Sequence, residues 1–273
     1  MKKIAGSAIS CVMNEYLLTV DVGNTSTGFG VFNFDGTLKA CGSFRTTHPV
    51  STEELLVQLK GFLDLYQVKL YEIKGISISS VVPSLTPLWV ELGRKWLARE
   101  VLIASAKTVP IKLDLWHPHE VGADRIVNAF AAWEKYKKAC IVVDFGTATT
   151  FDCISESGVY LGGAIAPGVL TSSESLFLKT AKLPEIDLFS PPECALGKDT
   201  VSAMKSGIVL GFACLADGLI EKLSMEMKTN PKVIATGGLA RIVSQLSTRI
   251  KKVEPLLILE GLYLLWKKCH GLP

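Results

Sequence analysis

Apolar and polar positions follow two periods along this chain, and the period changes at residue 44. Residues 16–44 carry short apolar runs broken by Gly, Asp, Asn and Thr, with Asp35-Gly36 suited to a hairpin turn, which predicts a three-strand meander. Residues 52–66 change to helical spacing, with Leu55, Leu56, Leu59, Phe62 and Leu63 on one stripe and Ser51 or Thr52 as cap. A β-branched strand over 74–82 stops at Pro83, a helix follows over 85–98, and a short strand lies at 101–104. In the second half the pattern predicts a helix beginning near Glu120, with the stripe Ile126, Val127, Phe130, Ala131 and Trp133. Strands follow at 139–143, 151–154 and 158–165, then a helix through residue 178. Residues 185–200 have no period, contain Pro191-Pro192, and read as a long surface segment suited to a binding loop or lid. A long helix over 201–227, a strand over 232–235 and helices over 239–246 and 256–268 complete the reading. Three strands followed by alternating helix and strand imply a mixed α/β layout in which helices cover a sheet.

The richest chemistry lies where an apolar strand stops. Ile141-Val142-Val143 runs directly into Asp144-Phe145-Gly146-Thr147-Ala148-Thr149-Thr150, which puts a carboxylate and several hydroxyls at the mouth of a sheet. Glycine permits a tight turn whose amides approach a ligand, and such a turn suits phosphate with its counter-cation. Asp, Gly and Thr are also common in ordinary β-turns. A second copy favours the functional reading. Leu18-Thr19-Val20-Asp21-Val22-Gly23-Asn24-Thr25-Ser26-Thr27 aligns with it, Asp21 on Asp144, Gly23 on Gly146 and Thr27 on Thr150. Two related halves facing each other across one cleft would account for the repeat. Gly122-Ala123-Asp124-Arg125 places an acid and an arginine in the first turn of the helix that follows, where backbone N–H groups are free and anions are favoured. Acids are common there for the helix dipole alone. Thr236-Gly237-Gly238 is a further turn with free amides.

Composition narrows the field. The 273 residues are 48% hydrophobic and 20% charged, enough for one large domain or two ordinary ones. Lys+Arg 29 against Asp+Glu 26 leaves a net charge of +3, so nucleic acid is not singled out as a partner. The seven cysteines include no C-x-x-C pair, which speaks against zinc and a disulfide framework and for a reducing, cytoplasmic setting. Residues 1–12 faintly resemble a signal peptide, but Gly6, Ser7 and Ser10 interrupt the apolar part. The preferred reading is a leader over 1–15 with little structure, with Met13 as an alternative start. No membrane span is expected, since even the apolar 207–220 stretch carries Asp217.

Taken together, Asp21-Val22-Gly23-Asn24-Thr25, Ser79-Ser80-Val81-Val82-Pro83, Gly122-Ala123-Asp124-Arg125, Asp144 to Thr150, Thr180-Ala181-Lys182-Leu183-Pro184, Gly197-Lys198-Asp199-Thr200 and Thr236-Gly237-Gly238 resemble type III pantothenate kinases. That family belongs to the acetate kinase, sugar kinase, Hsp70 and actin superfamily. The resemblance implies two ribonuclease-H-like domains, at 16–118 and 119–273, with ATP in the cleft between them, and a homodimer that helps shape the pantothenate site. It implies transfer of the ATP γ-phosphoryl to pantothenate, opening coenzyme A synthesis. Asp124 would be the general base, and Gly122, Ala123, Asp124, Arg125 and Thr200 would hold pantothenate. Asp21, Val22, Gly23, Asn24, Thr25, Ser26, Thr27, Gly28 and Thr147 would hold ATP. Asp144 would bind a monovalent cation, K⁺ or NH₄⁺, and Mg²⁺ would accompany ATP.

The residues allow this chemistry independently, because phosphoryl transfer needs positioning and neutralisation more than a strong base. Asp124 is expected to keep a low pKa through the helix dipole and Arg125. There is no G-x-x-x-x-G-K-[ST], so a P-loop kinase is not indicated. Leu115-Trp116-His117-Pro118 departs from the family, which often carries a tyrosine and Asn-Pro there; Trp116 could replace the aromatic wall, and His117 reads as a replacement for Asn. Two rivals stand: a related kinase for another small alcohol or carboxylate, and a nucleotide-binding regulatory or accessory protein without turnover.

Overall fold

The protein is described here by a computed structural model, which covers residues 15–97 and 100–271. Met13, Cys11 and the rest of the leader before Glu15 lie outside the described residues, as does the end of the helix expected over 85–98.

Two mixed sheets form the framework. The first has the order β3-β2-β1-β4-β5, from β1 (Tyr16–Val22), β2 (Ser26–Asn33), β3 (Leu38–Arg45), β4 (Ile73–Ser80) and β5 (Val101–Ile103). The second is β11-β10-β7-β8-β9-β6, from β6 (Lys112–Leu113), β7 (Cys140–Phe145), β8 (Ala148–Ile154), β9 (Val159–Pro167), β10 (Lys232–Thr236) and β11 (Lys252–Val253). Without β6 the two orders are identical. In each, an antiparallel meander is extended by two parallel strands. The internal repeat of the turns is therefore a repeat of whole sheets. β6 and β11 are two residues each, too short to leave a period in the sequence.

Five layers result. Helices α1 (Thr52–Leu65) and α2 (Thr86–Leu92) cover the outer face of the first sheet, packing Leu55, Leu59, Leu63, Trp89 and Leu92 on Leu18, Val20 and Val22. Ser51 caps α1 in a reciprocal box with Glu54. Between the sheets lie α3 (Ala123–Tyr136) and α8 (Leu257–Cys269). α8 sets Leu259, Tyr263 and Trp266 on Leu17 and Phe32 of the first sheet, and Leu257, Leu262 and Leu265 on the layer shared with α3 and Val142. Its sequence, LILEGLYLLW, is apolar nearly all round, as a helix buried on both sides requires. The outer face of the second sheet carries α4 (Val169–Lys179), α6 (Gly211–Met227) and α7 (Ala240–Leu246). β1 and β7 are buried on both faces, which explains their unbroken apolar runs.

α5 (Thr200–Lys205) continues through a π-helical turn into α6, making one helix of 28 residues with a window of mean hydropathy 1.5. By length and composition alone it passes for a membrane span, contrary to the sequence expectation. Its apolar stripe, Ile208, Val209, Phe212, Ala213, Ala216 and Ile220, packs against the second sheet, as in a core helix.

Close approach of α8 to β4 is made possible by Gly75, where an added Cβ would lie 2.4 Å from Trp266 Cζ2. Gly75→Ala is expected to destabilise the fold by about 1–3 kcal/mol through overpacking. Urea unfolding of the variant checks this.

Candidate active site

Alternation along the strands decides where the acids point. In β7, Ile141, Val143 and Phe145 join the outer core, whereas Cys140 and Val142 face α3, and so does Asp144 at the same parity. In β1, Leu17 faces α8, and Asp21 shares its side. Both carboxylates therefore stand at the C-terminal ends of the central strands and on the inner faces of the two sheets.

The turns beyond them touch. Thr25 Oγ1 and Thr147 Oγ1 are 2.9 Å apart, 122 residues distant in sequence. The first turn is braced by β3's end: Thr46 Oγ1 donates to Gly23 O at 2.8 Å and lies 2.9 Å from Thr27 Oγ1. The second is braced by α4, where Thr171 Oγ1 donates to Thr147 O at 2.9 Å. A Cβ at Gly168 would fall 2.2 Å from that same carbonyl, so only glycine lets α4 start so close. Thr236-Gly237-Gly238 closes in from the side. Thr236 pairs with Asp144, and a Cβ at Gly237, whose φ is +91°, would lie 2.5 Å from Asp144 Oδ1.

The two hairpins differ by one residue. Asp21 faces Gly28 and Val22 faces Thr27, whereas Asp144 faces Thr150. The alignment of Asp and Gly is preserved in space, but Thr27 and Thr150 are not equivalent. Thr27 is buried, and Val22 belongs to the first core with no exposed surface. Asn24, Thr25 and Ser26 are the exposed members of the first turn, with Gly23 and Gly28 partly exposed.

Asp124 completes the group. Gly122 is the N-cap of α3, and a Cβ there would meet Asp124 Oδ1 at 2.4 Å. The Arg125 amide donates to Asp124 Oδ1 at 2.8 Å. Burial nevertheless raises the Asp124 pKa above the ordinary carboxylate value, against that amide bond and the Arg125 charge. This overturns the expectation of a low pKa. Arg125 does not point at Asp124: successive helical residues diverge by about 100°, and its guanidinium binds Asp152 through Nε and Nη2, each 2.8 Å from Oδ1. Burial, then repulsion from Asp124, pushes Asp21 up to about 7. Burial followed by repulsion from Asp124, Asp21 and Asp152 pushes Asp144 up to about 7, against a hydrogen bond from Asn128 Nδ2 to its Oδ2 at 3.1 Å. Such a concentration of negative charge calls for cations when anionic phosphates are to enter. Among the described residues no cluster of three or more His, Cys, Asp or Glu is arranged to hold a metal by itself. The arrangement fits an ion that takes one or two carboxylates from the protein and the rest of its shell from water and phosphate.

Other sequence candidates stand at the surface. Thr200 opens α5 behind the Asp199 capping box on the exposed face, and no hydrogen bond among the described residues joins it to the Asp124 group. Trp116 is 96% exposed and His117 is exposed beside His119. Residues 180–199 form neither helix nor strand. Asn128, Asp152 and Tyr160, which the motif reading missed, had a visible signal: polar residues inside apolar runs (Val127-Asn128-Ala129-Phe130 and Phe151-Asp152-Cys153-Ile154) require buried partners.

Comparison with known proteins agrees with this fold. Component A of (R)-2-hydroxyglutaryl-CoA dehydratase from Acidaminococcus fermentans superposes with a TM-score of 0.58 at 14% identity, covering 94% of this chain and 100% of its own. The fold is of the actin, Hsp70 and sugar kinase type, two mixed sheets flanked by helices. A protein named type III pantothenate kinase from Desulfatibacillum aliphaticivorans is 45% identical over 255 residues, 92% of this chain and 98% of the relative. Another of that name from Desulforapulum autotrophicum is 44% identical over 248 residues, 90% and 94% of the two chains. The sequence profile of type III pantothenate kinase matches residues 17–222, and with that match and these relatives the chain belongs to the type III pantothenate kinase family.

Proposed function

We propose that this chain transfers the γ-phosphoryl of ATP to the primary hydroxyl of pantothenate, the first step of coenzyme A synthesis, at the junction of the two turns. The observation that carries this is the convergence of Asp21, Asp144 and Asp124 around the Thr25–Thr147 contact, in a chain of this family. Gly23 to Ser26, Gly28 and Thr147 offer amides and hydroxyls to the ATP phosphates. Gly122, Ala123, Asp124 and Arg125 hold pantothenate. Asp124 accepts the hydroxyl proton as the bond to phosphorus forms. The raised pKa of Asp124 suits this role, since a base titrating nearer neutral pH accepts a proton more readily than an ordinary aspartate.

Asp144 and Asp21 would hold the cations, Mg²⁺ with ATP and a monovalent ion at Asp144. When bound, such ions neutralise the phosphate oxygens on which charge builds during transfer. For the homodimer, the support is an exposed apolar face: Ile165, Leu170, Phe177, Leu178 and Phe189 are 43–77% exposed. A second copy seated there would also explain how Thr200 could take part, as a contribution from the partner. The six cysteines among the described residues are free, which agrees with a cytoplasmic site of action.

The test is ADP release by the purified protein with ATP, Mg²⁺ and pantothenate, in K⁺ and then in Na⁺. Pantothenate-dependent release that K⁺ stimulates is the expected result. Faster release with another small alcohol would overturn the substrate, and ATP binding without release would favour an accessory protein.

A further inference from the structure

Asp152 has no exposed surface and sits in the middle of β8, the second strand of the second sheet's meander. Its backbone is fixed by ladders on both sides, opposite Val142 and Gly163. Its carboxylate is the most heavily bonded acid of the inner layer. Arg125 Nε and Nη2 each reach Oδ1 at 2.8 Å, Tyr160 Oη donates to the same oxygen at 2.7 Å, and Thr150 Oγ1 donates to Oδ2 at 3.3 Å. The Tyr160 ring is itself fully buried, against the core that α3 shares.

Stability alone does not account for this cluster, because a buried ion pair is often no better than a well-packed apolar replacement. Its geometry has a directional effect. A guanidinium presents its donors as a rigid planar fork. Here the Nε–Nη2 edge is spent on Asp152, and the described residues offer Nη1 no partner. The side chain is 16% exposed and follows Asp124 in the first turn of α3, and its Nη1–Nη2 end, the outer edge, keeps two N–H groups uncommitted. An edge left free in this way matches a carboxylate, which accepts two parallel N–H bonds.

We propose that Asp152 and Tyr160 are positioning residues that clamp the inner edge of Arg125, so that its outer edge selects an acceptor bearing a carboxylate. The proposal rests on the assignment of Arg125 to pantothenate. It assigns to Asp152 and Tyr160 no contact with substrate. Asp152 supplies the fixed counter-charge, and Tyr160, by occupying the same oxygen, keeps the carboxylate from rotating away from the guanidinium.

The readout is a ratio that a general loss of structure would not move: kcat/KM for pantothenate divided by kcat/KM for panthenol, in which a neutral hydroxymethyl group replaces the carboxylate. Arg125→Ala should collapse this ratio. Asp152→Asn, nearly isosteric, should lower it about tenfold, through the pantothenate KM and with the ATP KM unchanged. Tyr160→Phe, which removes one hydrogen bond and keeps the ring, should lower it about threefold and serves if Asp152→Asn folds poorly. In an Arg125→Ala background neither change should lower the ratio further. An unchanged ratio in Asp152→Asn or Tyr160→Phe, with Arg125→Ala still collapsing it, would overturn the clamp and leave Arg125 in place. An unchanged ratio in Arg125→Ala would overturn the assignment of Arg125, and the clamp with it.

Discussion

Asp124→Asn is expected to reduce turnover at least about a hundredfold, the range for a removed general base, while ATP binds within about twofold of the wild-type Kd. The asymmetry follows from position. Asp124 belongs to the first turn of α3, whereas the donors proposed for the ATP phosphates come from the β1–β2 and β7–β8 turns. The Arg125 amide that donates to Asp124 Oδ1 can donate equally to the amide oxygen of Asn, so the local backbone should survive the change. A second readout belongs to the wild type. Because burial raises the Asp124 pKa, the acidic limb of its kcat profile should lie above the ordinary aspartate range. Isothermal titration with ATP and single-turnover kinetics measure the two parts. Near-normal turnover in the variant would remove Asp124 from the role of base.

Asp144→Asn should move activity and stability in opposite directions. Its loss takes a charge from the place where cation and phosphate are proposed to meet, and a fall of about 10²–10³ in kcat is expected, together with loss of the proposed K⁺ response. The free protein, however, carries Asp144 as a strained group. Its native pKa of about 7 lies well above the ordinary unfolded value. Between those two pH values the native chain binds a proton that the unfolded chain releases, so stability falls as pH rises through that window and is lowest above about pH 7. The variant has no such group to ionise. At pH 8 without ligands it should melt above the wild type, by about 2–4 °C for each kcal/mol regained. At pH 4 the two should melt together. Scanning calorimetry across this range checks the sign, and a variant less stable than wild type at pH 8 would show that Asp144 is not under the electrostatic load described.

Much of the candidate site was legible because its parts are local. An apolar strand ending in Asp-x-Gly carries its own turn chemistry, so Asp21 and Asp144 announced themselves within ten residues each, and their repetition announced the matching sheets. The helix beginning at Gly122 was legible in the same way. Sequence proximity misled at Arg125. It neighbours Asp124 along the chain, but the helical rotation between them sends its side chain to Asp152 on another element. The expected low pKa of Asp124 failed for that reason, burial having the larger effect. Val22 shows the converse, a residue inside a ligand motif whose side chain belongs to the core. α8 was recognisable as a helix but not as the layer between the sheets. Only its nearly complete ring of apolar residues hinted that both sides would be covered.

That placement of α8 bears on how the polypeptide matures. β1 cannot cover Leu17 until Leu259, Tyr263 and Trp266 have been synthesised, more than two hundred residues later. A nascent chain leaving the ribosome would thus carry the first sheet with one face bare for most of translation. Contacts so distant along the chain close slowly and leave intermediates prone to stick to one another. The helix that seals the molecule last is also the one through which a chaperone, or a stop codon a few turns too early, would have its largest influence on the yield of native enzyme.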